Sequence, residues 1–383
     1  MHHRFRTTAA LVPFLALGAC GGAGGSLGSA GSVAATSTTT TTTTTTTTGA
    51  TTTASSDTSP AVTATQANMF DVTATTTFDV VGATQSLVIE EGKGELYRGN
   101  ASTVAAPTGT ISYNPRDGIF TLAMKDSAAG IDQNVGFQDP GHRATADSAR
   151  NGEYQVPLLS GFNYLQVGNY LNTFTFFYKR PVAGTFVTIA GFERTATTED
   201  KKTKTFEQGA FVFGNKAPLA ALPTSGTGRF TGDFLASMIG QNGSSSVFQW
   251  ISGTSTVDAD FAKRTLTLGL AGTVGAGYRQ AQLTDVLAIP QNSGFAASGT
   301  ASWSSSNSAF SGKISSASFT VGGSQVAIDL TPVSAGTAAA GASSIDGTFY
   351  GAKAQNVGGN VRITGGTPDQ RVDILGAFTG VKQ

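Results

Sequence analysis

A chain of 383 residues carrying 24 Lys and Arg against 24 Asp and Glu is formally neutral, so no whole-molecule field draws it to nucleic acid or an anionic bilayer. A single cysteine, Cys20, and three histidines exclude an intramolecular disulfide framework and a zinc site of the usual Cys/His type. Stability must come from burial.

Arg4 and Arg6 precede an apolar run over 9–17, which ends in Leu17-Gly18-Ala19-Cys20. Basic, apolar and small residues in that order form a secretory signal. Small residues ahead of a cysteine resemble the bacterial lipobox, which predicts a signal peptide over 1–19 and a diacylated Cys20 as the first mature residue. The run is shorter than the roughly 20 residues a spanning helix needs, and no later segment approaches that length. The mature protein is therefore expected outside the hydrocarbon, on acyl chains worth about 0.8 kcal/mol per buried CH₂. Gly21 stands where an aspartate would mark retention at the inner membrane. The expected address is the outer membrane of a Gram-negative cell, with exposure at the cell surface. Loss of 1–19 leaves 22 basic residues against 24 acidic ones, a charge near −2, and His142 as the remaining histidine.

Residues 20–67 follow as a tether of Gly, Ala, Ser and Thr, including eleven consecutive threonines from Thr38 to Thr48. So little apolar surface does not offset the entropy of ordering, and disorder is expected. A bare spacer of this length spans roughly 35–40 Å, at about 5–6 Å times the square root of residue number.

Beyond residue 67 the chain exceeds what a single core comfortably holds, which predicts a β-rich domain over 68–221 and a second over 222–383. No convincing helical period appears, although 142–150 admits one short helix. Asn114-Pro115-Arg116-Asp117-Gly118 is a turn in which proline presets φ and glycine supplies φ > 0. It joins 110–113 to 119–124 as a hairpin. In the second region Phe230 and Phe234 alternate with polar neighbours, as do Val257, Ala259 and Phe261. Leu266, Leu268 and Leu270 share one face opposite Thr265 and Thr267. Further strands are predicted at 294–303, 309–315, 345–350, 358–363 and 372–378. With 247–261 merged, eight antiparallel strands suit a closed barrel filled by its own side chains; an open sandwich is the alternative. The fold class is all-β.

The string Gly347-Thr348-Phe349-Tyr350-Gly351-Ala352-Lys353-Ala354, followed by Gly358-Gly359-Asn360-Val361, resembles a signature of the barrel domains of transferrin-binding protein B. Upstream, 222–232 is similar to the family's first barrel strand, and Gly299 to Trp303 with Phe310-Ser311-Gly312 to its middle hairpin. The terminal Gly376-Ala377-Phe378-Thr379-Gly380 fits the usual ending. Ala352 departs from the family's proline, and Gln355 or Asn356 from its glutamate. The resemblance covers 222–383 and extends loosely to 68–221 as a handle domain; it implies structural glycines rather than ligand contacts. One copy of the signature leaves room for one lobe. It also implies capture of an extracellular ligand, an iron- or haem-related carrier, and its presentation to an outer-membrane transporter such as a TonB-dependent receptor.

Chemistry is thin elsewhere. His142, in Asp139-Pro140-Gly141-His142-Arg143 with Asp147 behind it, lacks a convergent set of titratable partners, so no catalytic residue is expected and the protein is not read as an enzyme. Asp258 and Asp260 share the expected wet face of the barrel, where they need no metal. Residues 199–204 read as a solvated hairpin tip. No cofactor is predicted. For haem as a ligand, axial groups would come from His142, Tyr154, Tyr164, Tyr170 or Met124. The densest aromatic stretch runs from Phe162 to Tyr178. The candidate ligand-binding residues are His142, Tyr164, Tyr170, Phe176 and Tyr178, although such aromatics also make ordinary β core. The alternative function is a structural or adhesive surface lipoprotein working by protein–protein contact.

Replacing Cys20 tests the anchor: Cys20→Ala is expected to abolish incorporation of labelled palmitate and to release the protein from the outer-membrane fraction. Retention of label by the variant would refute lipidation at this residue.

Overall fold

A computed structural model of the chain describes residues 66–383 apart from 100–108, 128, 139–142, 146–155, 170, 243–244, 280–281, 286, 331–342 and 366–371. Cys20 and the tether up to residue 65 lie outside the described residues. The first sheet comprises β1 (Thr76–Glu90), β2 (Gly94–Gly99), β3 (Gly109–Asn114), β4 (Ile119–Asp126), β5 (Ile131–Gln138), β6 (Arg143–Thr145), β7 (Phe162–Gly168), β8 (Asn172–Lys179), β9 (Val187–Thr197) and β10 (Thr203–Gly214). A 3-10 turn, Leu219–Ala221, leads to the second sheet. That sheet comprises β11 (Thr227–Asn242), β12 (Ser245–Asp260), β13 (Thr265–Arg279), β14 (Gln282–Thr284), β15 (Gly294–Trp303), β16 (Phe310–Val321), β17 (Ser324–Ala327), β18 (Ser344–Tyr350), β19 (Asn356–Gly365) and β20 (Val372–Lys382).

The second sheet closes. Its order runs from β12 through β11, β20, β19, β18, β16 and β15 to β13, and β13 pairs back onto β12, so eight antiparallel strands form a ring. The open-sandwich alternative is thereby removed. Each of the eight alternating segments read from the sequence falls in one of these strands. Leu266, Leu268 and Leu270 point into the barrel, whereas Thr265 and Thr267 face water. On β15 the inward row is Phe295, Ala297, Gly299, Ala301 and Trp303, a large ring at each end with three small residues between. At eight strands this leaves an interior just wide enough for side chains. Phe349 sits among Phe230, Phe261, Trp303 and Phe310 at centroid distances of 5.3–6.0 Å.

The signature glycines have a packing cause. A Cβ on Gly347 would stand 2.5 Å from both the Phe310 ring and the Gly358 carbonyl oxygen, and one on Gly359 would stand 2.2 Å from the Asp346 oxygen. Strands β18 and β19 thus close tightly beside Phe349, and Gly351 turns the chain between them at φ +82°.

The first sheet is a curled meander, β5-β4-β3-β1-β10-β9-β8-β7-β6, with β2 on the outer part of β1. Its concave side holds a core of rings, among them Phe78, Phe120, Phe137, Phe176, Phe192, Phe211 and Phe213. The hairpin around Asn114 is present as β3–β4: the Asn114 side-chain oxygen accepts from the amides of Arg116 and Asp117, and Gly118 takes φ +63°. The helix admitted over 142–150 is corrected for its described part. Residues 143–145 form β6 because their backbone groups pair with 163–165 of β7; the rest of that segment lies outside the described residues.

A third core joins the sheets. Leu235, Ile239, Phe248, Trp250 and Tyr350 on the outside of the barrel pack against Phe177, Val187, Ile189, Phe206 and Val212 on the convex side of the first sheet.

Phe349→Ala is expected to cost about 3–5 kcal/mol of stability in urea unfolding, the range for emptying an aromatic core site. Thr300→Ala, on the outer barrel wall, should stay within about 0.5 kcal/mol of the parent.

Candidate functional site

Where the sheets meet, strands must be buried on both faces, and several polar groups there are paired across the seam. The buried Trp250 Nε1, Tyr350 hydroxyl and Asn356 Nδ2 have no hydrogen-bond partner among the described residues. Gln85 donates to the Ser237 hydroxyl at 2.6 Å, and Ser237 donates to the Gln208 side-chain oxygen at 2.7 Å. Asn356 accepts from the Phe186 amide at 2.9 Å, and Asn360 donates to the Gly82 carbonyl at 3.4 Å. The Gly351 amide donates to the Asn215 carbonyl, and the Ala217 amide to that of Phe349. Arg362 grips Asp373 with two hydrogen bonds of 3.2 and 2.9 Å, both side chains being buried. Such a fork satisfies carboxylate and guanidinium together, which buried charge requires.

Among the described residues no cation pairs with Glu193. It follows Ile189 and Gly191 on the seam face of β9 and accepts from the Thr195 hydroxyl at 2.8 Å. Burial pushes its carboxyl up to about 8, and it adds to the upward shift that burial imposes on Tyr278 of the barrel. The neighbouring Glu207 points the other way, toward Arg194 at 2.9 Å and Gln133 at 3.0 Å. Its carboxyl is nevertheless raised, because burial outweighs the guanidinium.

Hollows among the described residues bear on ligand binding. One of about 760 Å³ lies on the outer barrel wall, among Arg229, Asp258, Asp260, Thr267, Thr300 and Lys313. A second, of about 520 Å³, runs along the seam between the loop after β8 and the outer faces of β11, β12 and β20. A third, of about 230 Å³, continues that groove and shares Ile189 and Asp233 with it. The Lys179 ammonium spans the seam there and meets both Asp233 oxygens, at 2.6 and 2.7 Å.

The residues singled out from the sequence do not converge. Tyr164 is fully buried in the seam core, donating to the Pro157 carbonyl at 2.6 Å and accepting from the Leu159 amide at 2.7 Å. Burial raises its hydroxyl to about 12. Phe176 and Tyr178 lie in the concave core of the first sheet, on the other face of β8 from Phe177, and Met124 joins them there. Tyr178 also lines a hollow of about 440 Å³ with Phe70 and Arg180, and accepts from the Asn163 amide group at 2.9 Å. His142, Tyr154 and Tyr170 lie outside the described residues. Asp258 and Asp260 are on the outer wall, facing Arg229 at 3.5 Å and Lys263 at 2.6 Å. At the tip 199–204, Asp200 accepts from Thr198 and the Lys202 amide. In the seam set, Gln85, Glu193, Gln208 and Ser237 were not singled out, and Asn356 and Asn360 entered only through the family signature. For the first four the only signal in sequence is polar residues on the strand face that alternation assigns to water.

Residues 222–382 match the family described as the C-lobe and N-lobe beta barrels of Tf-binding protein B. Among solved structures, intact Ap-TbpB with its N and C lobes is similar at 10% identity and TM-score 0.33, covering 81% of this chain and 78% of that one. A variant of the vaccine antigen transferrin-binding protein B from Haemophilus parasuis Hp5 aligns at 9% identity and TM-score 0.32, with coverages of 82% and 77%. The isotype 1 protein from serogroup B Neisseria meningitidis aligns at 13% identity and TM-score 0.25, with coverages of 81% and 77%. No curated protein sequence matches the chain.

Glu193 gives the seam a pH signature. Its folded value of about 8 stands above the ordinary 4.5, so between those limits the native state holds a proton that the unfolded chain has lost. Stability should therefore fall as pH rises through this window. Glu193→Gln is expected to flatten that slope and to raise the unfolding free energy above pH 8 by at least about 1 kcal/mol, as measured by urea unfolding across pH.

Proposed function

Because the chain belongs, through its barrel at residues 222–382, to the transferrin-binding protein B-like family, we propose that it is a lipid-anchored protein of the outer-membrane surface. It captures an extracellular protein, an iron- or haem-related carrier, and presents it to an outer-membrane transporter such as a TonB-dependent receptor. Cys20 holds the acyl chains, 20–67 is the tether, 68–221 serves as the handle and 222–383 as the barrel. The observation supporting protein capture is the commitment of aromatic side chains to packing. Phe349 and its neighbours fill the barrel, and Tyr164 and Phe176 lie in the two cores of the first sheet. Contact with a partner then falls to outer surfaces and loop ends, where rigid β frames carry their recognition residues. His142 and Tyr170 are the contact residues proposed from the sequence.

Binding of a soluble Cys20→Ala chain to immobilised transferrin and haemoglobin, with free haemin titrated in parallel, tests this reading. Binding of one carrier, weakened at least about tenfold by His142→Ala with Tyr170→Ala, and no Soret shift with haemin is the expected result. A Soret shift lost in His142→Ala would replace protein capture with direct haem capture. Absence of all binding would leave the adhesive alternative.

A further inference from the structure

The seam groove has the composition of a ligand site and not of imperfect packing. Its mouth is flanked by Val182 and Val381, exposed to 68% and 40%. Behind them Val187 and Ile189 continue the apolar wall, and Leu159 and Phe162 line its far end. The opposing barrel surface presents the hydroxyl-bearing residues Thr231, Thr254, Thr256 and Thr379. From Thr231 to Leu235 the groove follows β11 for about 13 Å, at about 3.3 Å per residue.

Charge at the mouth is one-sided. Lys179 is neutralised by Asp233, but Arg180 is exposed, and no carboxylate among the described residues pairs with its guanidinium. Arg180 also borders the hollow containing Phe70 and Tyr178, so the cation stands where two concavities meet. A guanidinium fork matches the two oxygens of a carboxylate.

We infer that this groove binds a small amphiphile with a carboxylate head and an unbranched apolar chain. The head lies on Arg180 beside Lys179, and the chain runs past Val187 and Ile189 toward Leu159 and Phe162. An extended peptide fits poorly. Strand β9 is already paired with β8 and β10, and β11 with β12 and β20, so a peptide's N–H and C=O groups would be buried without partners. A dianionic phosphate fits poorly as well, since Asp233 offsets one of the two cations. The inference is independent of carrier capture at the loops.

Isothermal titration of the soluble Cys20→Ala chain with dodecanoate tests it, with dodecanol and acetate as separate arms for chain and head. One-to-one binding of dodecanoate is expected, with each partial ligand at least about tenfold weaker. Arg180→Ala should weaken dodecanoate about tenfold while leaving dodecanol unchanged. Thr254→Trp, which fills the groove from an exposed strand position, should abolish binding, and Val182→Asp at the mouth should weaken it through like charge. Thermal unfolding of each variant verifies that it is folded. No heat with dodecanoate, or uptake at several equivalents that Thr254→Trp and Val182→Asp leave unchanged, would overturn the inference.

Discussion

The seam between the two sheets is the constraint from which the rest follows. A sheet that packs on both faces cannot use alternation to send its polar groups into water. A polar side chain there gains a partner, gives up its charge or, like the Tyr350 hydroxyl and Trp250 Nε1, stays buried at a cost. Gln85, Ser237 and Gln208 bond in a chain across the boundary, Arg362 and Asp373 neutralise each other, and Glu193 is driven toward its protonated form. Leaving any such group unpaired costs about 1–3 kcal/mol, more where a charge is involved. The bonds that cross the boundary, from Gln85 through Ser237 to Gln208 and from Lys179 to Asp233, favour one docking of sheet on sheet.

How far the fold could be read from the chain follows from the same constraint. On β13 and β15 one face is core and the other water. Leu266, Leu268 and Leu270 therefore stand out against Thr265 and Thr267, and the barrel's strands were legible. The turn at Asn114 was legible because proline, asparagine and glycine each act locally. On β9, β10 and β19 both faces are buried, so period-2 contrast disappears and the seam left little trace. The aromatic run from Phe162 to Tyr178 illustrates the same difficulty. Tyr164 and Phe177 serve the seam while Phe176 and Tyr178 serve the concave core, and sequence spacing alone does not distinguish two cores from one pocket. Residues 143–145 form an edge strand of three residues, too short for any periodicity to register.

The family signature turns out to describe the frame. Gly347 and Gly359 are glycine because a backbone oxygen or a ring occupies the place of their Cβ. The Phe349-Tyr350 pair divides its side chains between the barrel interior and the seam. These residues account for the closure of β18 on β19 and are silent about any ligand. Fold and partner are separate properties, and the partner is read from surfaces and grooves.

That separation bears on where a small molecule can go. An eight-stranded barrel can hold one small ligand only if its interior is left unfilled, and here Phe230, Phe261, Trp303, Phe310 and Phe349 occupy it. The concave side of the first sheet is likewise filled by rings. Among the described residues concavity survives on the outer barrel wall, along the seam and beside Phe70 and Tyr178, where Arg180 borders it as well. The wall offers hydroxyls and offset charges such as Arg229 with Asp258, a surface that water already satisfies. The seam groove combines apolar walls with a guanidinium with which no carboxylate among the described residues pairs, and an amphiphilic carboxylate would cover the one and meet the other. The Lys179–Asp233 bridge, which joins the two sheets, is itself part of the groove's lining.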